Sequence, residues 1–94
     1  MRESKVESHL RKRWRAIGGE IRKCKWLDRN GAPDRVLFLP DARIWWIETK
    51  APGKEAADHQ AREHARLWKM GQKVLVLDTI EAVDQFVEGV VNEH

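Results

Sequence analysis

Cysteine occurs once in this chain, at Cys24, so no internal disulfide can form. The thiol has no histidine or helix start beside it, and it reads as a packed structural group rather than a nucleophile. Long apolar runs are also missing. None approaches the ~20 residues a membrane helix needs, and the N-terminus is charged from Arg2 onward, without the apolar core of a signal peptide. Both absences point to an intracellular, cytoplasmic protein. Repeats, low-complexity tracts and linkers are absent, and 94 residues suffice for one compact domain but not two. A single domain over residues 1–94 is therefore expected. The spacing of His59 and His64 is not the i, i+4 pair of a helical zinc site, and no third nitrogen or sulfur ligand accompanies them.

What the chain does have is charge, unevenly placed. Residues 1–50 hold 13 Lys and Arg against 7 Asp and Glu; residues 51–94 hold 5 against 8. The N-terminal half, with Arg11, Lys12, Arg13, Arg15, Arg22, Lys23 and Lys25, would draw a polyanion such as DNA or RNA, and salt would weaken that attraction.

Apolar spacing outlines the elements. Val6, Leu10, Trp14 and Ile17 recur at helical intervals, which predicts a helix from about Ser4 to Ile17, stopped by Gly18-Gly19. Glu20 to Trp26 reads as a first strand, and Leu27 to Pro33 as a turn-rich loop. Arg35–Leu39 and Arg43–Ile47 are rich in β-branched, aromatic and apolar residues and read as the second and third strands. Ala51-Pro52-Gly53 breaks the third strand. A helix from Lys54 to Met70 follows, with Ala57, Ala61, His64, Ala65 and Trp68 along its inner face, and Gly71 stops it. Val74–Leu77 reads as a strand buried on both faces. Asp78 or Thr79 could cap a last helix carrying Ile80, Val83, Phe86, Val87 and Val90. The order αβββαβα implies an α/β fold, a mixed sheet flanked by helices.

The chemistry concentrates at Pro33-Asp34 and Glu48-Thr49-Lys50. If Pro40-Asp41-Ala42 forms the turn, Leu39 pairs with Arg43, and the same register sets Asp34 opposite Glu48. Directly opposed residues have Cβ atoms about 4.5–5.5 Å apart, close enough for one cation to bridge two carboxylates. Lys50 lies two residues past Glu48 and so shares its face. A slip of one residue would turn Asp34 away, so the site depends on the register.

The element order and the signature Gly31-Ala32-Pro33-Asp34 … Ile47-Glu48-Thr49-Lys50 resemble the PD-(D/E)XK nuclease superfamily with its restriction-endonuclease-like core. Within it the chain resembles the virus-type replication-repair nuclease (VRR-NUC) family, which adds a glutamate in the first helix and a glutamine after the third strand. Glu7 and Gln60 stand at those positions. The resemblance runs from Glu7 through the last strand. It implies a metal-dependent endonuclease whose small standalone members are homodimers that cut branched DNA, four-way junctions above all. With no appended domain in 94 residues, the standalone members are the closer analogy, and a phage or mobile-element origin is implied.

Carried over residue by residue, the resemblance makes Glu7, Asp34, Glu48, Lys50 and Gln60 the catalytic set. Asp34, Glu48 and the Thr49 backbone carbonyl would hold Mg²⁺, with Mn²⁺ able to substitute and Glu7 a further ligand. No organic cofactor is implied. Lys50 would orient the attacking water or offset phosphate charge. Arg11, Lys12, Arg15, Lys23 and Lys25 would grip flanking phosphates without reading bases.

Bland readings stand beside these. Asp34 could close a turn, and Glu48 could pair with Lys50 alone. Ser4 and Glu7 could form a capping box. Gln60 could satisfy a core hydrogen bond. The tryptophans could stack on bases, yet core packing or a dimer interface accounts for most of them. A nuclease for flaps or nicked duplex, or a non-catalytic binding module of the same fold, are the alternative functions.

Overall fold

The computed structural model describes residues 2–93. Its first helix, α1 (Glu3–Ala16), buries Val6, Leu10 and Trp14, three residues at four-residue spacing that form a single apolar stripe. The Trp14 indole donates through Nε1 to the Phe38 carbonyl at 3.1 Å. Gly18 then turns the chain with φ +90°, and Gly19 passes beneath that indole. A Cβ on Gly19 would lie 2.2 Å from Trp14 Nε1, so the close packing requires glycine there.

The remaining elements are β1 (Glu20–Lys23), β2 (Arg35–Phe38), β3 (Ile44–Thr49), α2 (Asp58–Lys69), β4 (Val74–Leu77) and α3 (Ile80–Val91). The order is αβββαβα, and the strands lie side by side as β1-β2-β3-β4. The first three are antiparallel to their neighbours; β4 returns parallel to β3 after the α2 crossover. The expected mixed sheet flanked by helices is thus the observed fold.

The hairpin register is the one the turn predicts. Leu39 N donates to the Arg43 carbonyl at 3.0 Å, and Arg35, Val36, Leu37 and Phe38 face Ile47, Trp46, Trp45 and Ile44. The turn is clamped by Asp41, which accepts from Arg43 N at 3.1 Å and pairs with its guanidinium at 2.9 Å. Ala42 takes a left-handed φ of 73° to close it.

Alternation sorts β3 onto two faces. Trp45 and Ile47 join the main core with Leu10, Trp14, Val83 and Val87, where Trp45 meets Trp14 and Phe86 edge-on at 5.3 and 5.9 Å. Trp46 points the other way, edge-on to Trp26 at 5.3 Å. Glu48 and Lys50 share that second face by period. Among the described residues, no helix is long and apolar enough to cross a membrane.

Several expectations are corrected. Helix α1 starts at Glu3 with Arg2 as its N-cap and no side-chain cap bond, so the Ser4–Glu7 capping box does not form; arginines claim the Glu7 carboxylate instead. Strand β1 ends at Lys23, and from Cys24 the chain bends into the loop leading to Asp34. Strand β3 runs on to include Glu48 and Thr49, held by the parallel neighbour β4. Helix α2 starts at Asp58, not Lys54, because Gly53 is left-handed and the following residues stay irregular. Its buried side chains are Glu63 and His64, whereas Ala57, Ala61, Ala65 and Trp68 are exposed. The Trp68 indole explains part of this rotation, since its Nε1 donates to the Val74 carbonyl at the sheet edge. Strand β4 buries Val74 and Leu77 but only half-buries Leu75 and Val76, as an edge strand would. Thr79 does cap α3, its hydroxyl accepting from Ala82 N at 2.9 Å.

Candidate active site

Asp34 is delivered to the sheet by a loop braced at several points. Cys24 N donates to the Asp34 carbonyl at 2.9 Å, and Trp26 Nε1 to the Pro33 carbonyl at 3.0 Å. Gly31, at φ +81°, lies so close to α2 that a Cβ would stand 2.9 Å from Gln60 Cα and the His59 carbonyl. No other residue fits that contact, so Gly31 fixes the distance between the Asp34 loop and α2.

The β2–β3 ladder ends at the Arg35–Ile47 pair, with Asp34 and Glu48 each one residue beyond it, and the Asp34 charge acts on Glu48. Asp34 Oδ2 pairs with Arg35 Nη1 at 3.0 Å, while Oδ1 is buried with no hydrogen-bond partner. Glu48 is 7% exposed. Burial, then the Asp34 charge, and after it Glu3, push its carboxyl up to about 7 against the pull of Lys50 and Arg35. Asp34 Oδ1, a buried acceptor with no partner, and Glu48, whose ionisation burial opposes, are oxygens that a bound cation would satisfy. Among the described residues no three His, Cys, Asp or Glu side chains gather to hold a metal. The donors present are two carboxylates and the Thr49 carbonyl, all oxygens, and that set suits a hard cation such as Mg²⁺ that keeps several of its waters.

Lys50 is half-buried, its amide donating to the Leu77 carbonyl at 3.0 Å, and its ammonium acts electrostatically on Glu48 and His64. Glu7 sits apart from the carboxylate pair in its bonding. Arg11 donates to its Oε1 at 2.6 and 3.1 Å, and Arg35 Nε at 3.4 Å. Burial alone would raise Glu7, but the Arg11 hydrogen bond and charge, with Arg35 behind them, hold it below the usual carboxylate range. Glu7 therefore meets Asp34 through Arg35, a guanidinium bound to both. Gln60 uses its Oε1 to accept from Ala57 N at 2.9 Å, bracing the first turn of α2. Of the five residues, the backbone brings Asp34, Glu48 and Lys50 together, while Glu7 and Gln60 are occupied by α-helical neighbours.

Three residues were not foreseen. Arg35 is almost fully buried and ties Glu7 to Asp34. Glu3 adds negative charge toward Glu48. His64 is buried and hydrogen-bonds the Gly31 backbone, and its Nε2 has no partner; burial holds its imidazole below the ordinary value. Arg35 left a signal, as a charge opening an otherwise apolar strand, and His64 stood on the expected inner face of α2.

Lys12, Arg15, Lys23 and Lys25 are exposed, whereas Arg11 is half-buried on Glu7. The Cys24 thiol is half-buried, 3.8 Å from the Pro33 carbonyl, and burial pushes it up, away from nucleophilic character.

No family model matches the chain. "Putative nuclease p44" of Acyrthosiphon pisum secondary endosymbiont phage 1 is 44% identical over 79 residues, covering 84% of this chain and 85% of that protein. A solved structure described as a VRR_NUC domain matches with a TM-score of 0.85 and 37% identity, over 92% of this chain and 94% of the other. The chain belongs to the VRR-NUC nuclease family. In this VRR-NUC domain Asp34 ends the loop before β2, and Glu48 and Thr49 close β3.

Proposed function

We propose that this VRR-NUC chain is a Mg²⁺-dependent, structure-specific DNA endonuclease that works as a homodimer on branched DNA such as four-way junctions. The observation that carries this reading is Asp34, with one buried oxygen that has no partner, acting with Lys50 on a buried Glu48 raised to about 7. Asp34, Glu48 and the Thr49 carbonyl would hold the cation. When bound it acts as a Lewis acid on the phosphate and makes water more acidic. Glu48 must lose its proton to take part, and Asp34 is kept in place by Arg35, itself anchored on Glu7. Lys50 places a positive charge where the attacked phosphate gains negative charge. Lys12, Arg15, Lys23 and Lys25 add phosphate contacts that give affinity and position without sequence readout.

The junction preference and the dimer rest on family resemblance and on symmetry. A four-way junction has approximate two-fold symmetry, and paired incisions need two sites related the same way. The test is cleavage of a labelled four-way junction and a matched linear duplex with Mg²⁺ or EDTA, for the native chain and Lys50→Ala. Metal-dependent paired nicks in the junction, lost in the variant, are expected. Tight junction binding without any cut under Mg²⁺ or Mn²⁺ would remove the nuclease assignment in favour of a binding module. Cutting confined to flaps or nicked duplex would remove the junction preference alone.

A further inference from the structure

The loop between β1 and β2 carries Leu27 at its bend, 91% exposed, the most exposed large apolar side chain among the described residues. A lone surface leucine is ordinarily unremarkable. This one differs in what holds it and in what lies beside it. Its loop is braced by the Cys24–Asp34 and Trp26–Pro33 hydrogen bonds, the Trp26–Trp46 ring contact and the Gly31–α2 contact. Arg29 ties the far side of the bend to Glu63 at 3.6 Å. The same loop walls a cleft of about 260 Å³ lined by Lys25, Trp26, Arg29, Asn30 and Asp34. A braced loop thus presents an exposed apolar tip between residues that line the same cleft as Asp34.

We propose that Leu27 is a wedge that enters the base stack of DNA beside the phosphate to be cut. Lys25 and Arg29 stand on either side of it, with Asp28 between them and Arg29 paired with Glu63, so exposed Lys25 is the cation of the bend placed to meet a phosphate backbone. An aliphatic side chain between two cations has nothing to gain from a phosphate; the apolar partner within reach on DNA is the face of a base. Wedge residues of this kind unstack a base step at a cost of a few kcal/mol, which is lowest where stacking is already interrupted. A branch point is such a place. The inference rests on the nuclease reading above and gives its preference for branched DNA a residue: Leu27 determines specificity, and the carboxylates do the cutting.

The experiment pairs a binding and a cutting readout. In EDTA, the native chain should raise the fluorescence of a 2-aminopurine placed at the branch point, and Leu27→Ala, bound equally well, should not. In Mg²⁺, Leu27→Ala should cut an intact four-way junction about ten-fold or more slower, equivalent to about 1.4 kcal/mol of barrier. Its rate on a duplex already unstacked by an abasic site at that step should stay near the native rate. Equal fluorescence and equal rates for the two proteins would overturn the wedge while leaving the nuclease intact. Unstacking in EDTA without cutting in Mg²⁺ or Mn²⁺ would support the wedge and remove the nuclease reading. Loss of self-association in Leu27→Ala, measured by sedimentation without DNA, would assign the leucine to a second copy of the chain and overturn the proposal.

Discussion

Burial, with the Asp34 charge behind it, makes Glu48 hold its proton more tightly in the folded chain than in the unfolded one. Its carboxyl moves from an ordinary 4.5 to about 7, so between those values the folded chain binds more protons than the unfolded one. For this group, stability is fully present below about pH 4.5 and is lost as pH rises through 7. The full effect is roughly 3 kcal/mol, at 1.36 kcal/mol for each pKa unit. Without divalent cation, the melting temperature should therefore fall between pH 5 and 8, and Glu48→Gln should flatten that fall, melt higher at pH 8 and abolish cutting. A variant that melts lower at pH 8 would contradict the electrostatic account. Because bound cation needs the ionised carboxylate, the rise in melting temperature on adding Mg²⁺ should be small at pH 5 and grow toward pH 8. Asp34, Glu48 and Lys50 were legible in the sequence because turn chemistry and a period of two suffice to align them. Arg35, Glu3 and His64 were not, since their roles come from packing between elements far apart in the chain.

At the scale of elements, tight turns and close approaches decide where the candidate site residues stand. Gly31→Ala must fit a Cβ 2.9 Å from α2 backbone in a left-handed conformation. It should cost about 2–4 kcal/mol in denaturant unfolding and displace the Asp34 loop, so that cutting falls further than stability alone explains. Ala42 is the reverse case, an L-residue at φ 73° in the β2–β3 turn. Ala42→Gly should stabilise the chain by about 1 kcal/mol, since the native conformation is the one glycine adopts freely. An unchanged or lowered midpoint would show that the turn is not strained. The hairpin register was readable from Pro40-Asp41-Ala42 and two apolar strands. Of the face of α2 only His64 was, because alanines and Trp68 lie on its outer side while Glu63 turns inward beside His64, toward Arg29 and Gly31. Hydrogen bonding by polar side chains overrode apolar spacing there.

Over the whole molecule, charge and chain order set what can approach. The excess of cations lies in residues 1–50, so DNA affinity should fall linearly in log–log form as salt rises. Replacing Lys23 and Lys25 together by alanine should reduce that slope by about 2 without changing any base preference, in a binding titration over salt. The order αβββαβα was readable because each helix and strand carries its own period. The two outer edges of the sheet also differ. Strand β1 alternates charge along its free side, with Glu20, Arg22 and Lys23 exposed. Strand β4 offers Val74-Leu75-Val76-Leu77 with no charge of its own, between Lys73 and Asp78. An uncharged apolar edge is a template for strands from other chains, and flanking charges are its usual restraint. Heated past its midpoint, this protein should accordingly aggregate through β4, the strand that also holds Glu48 in place.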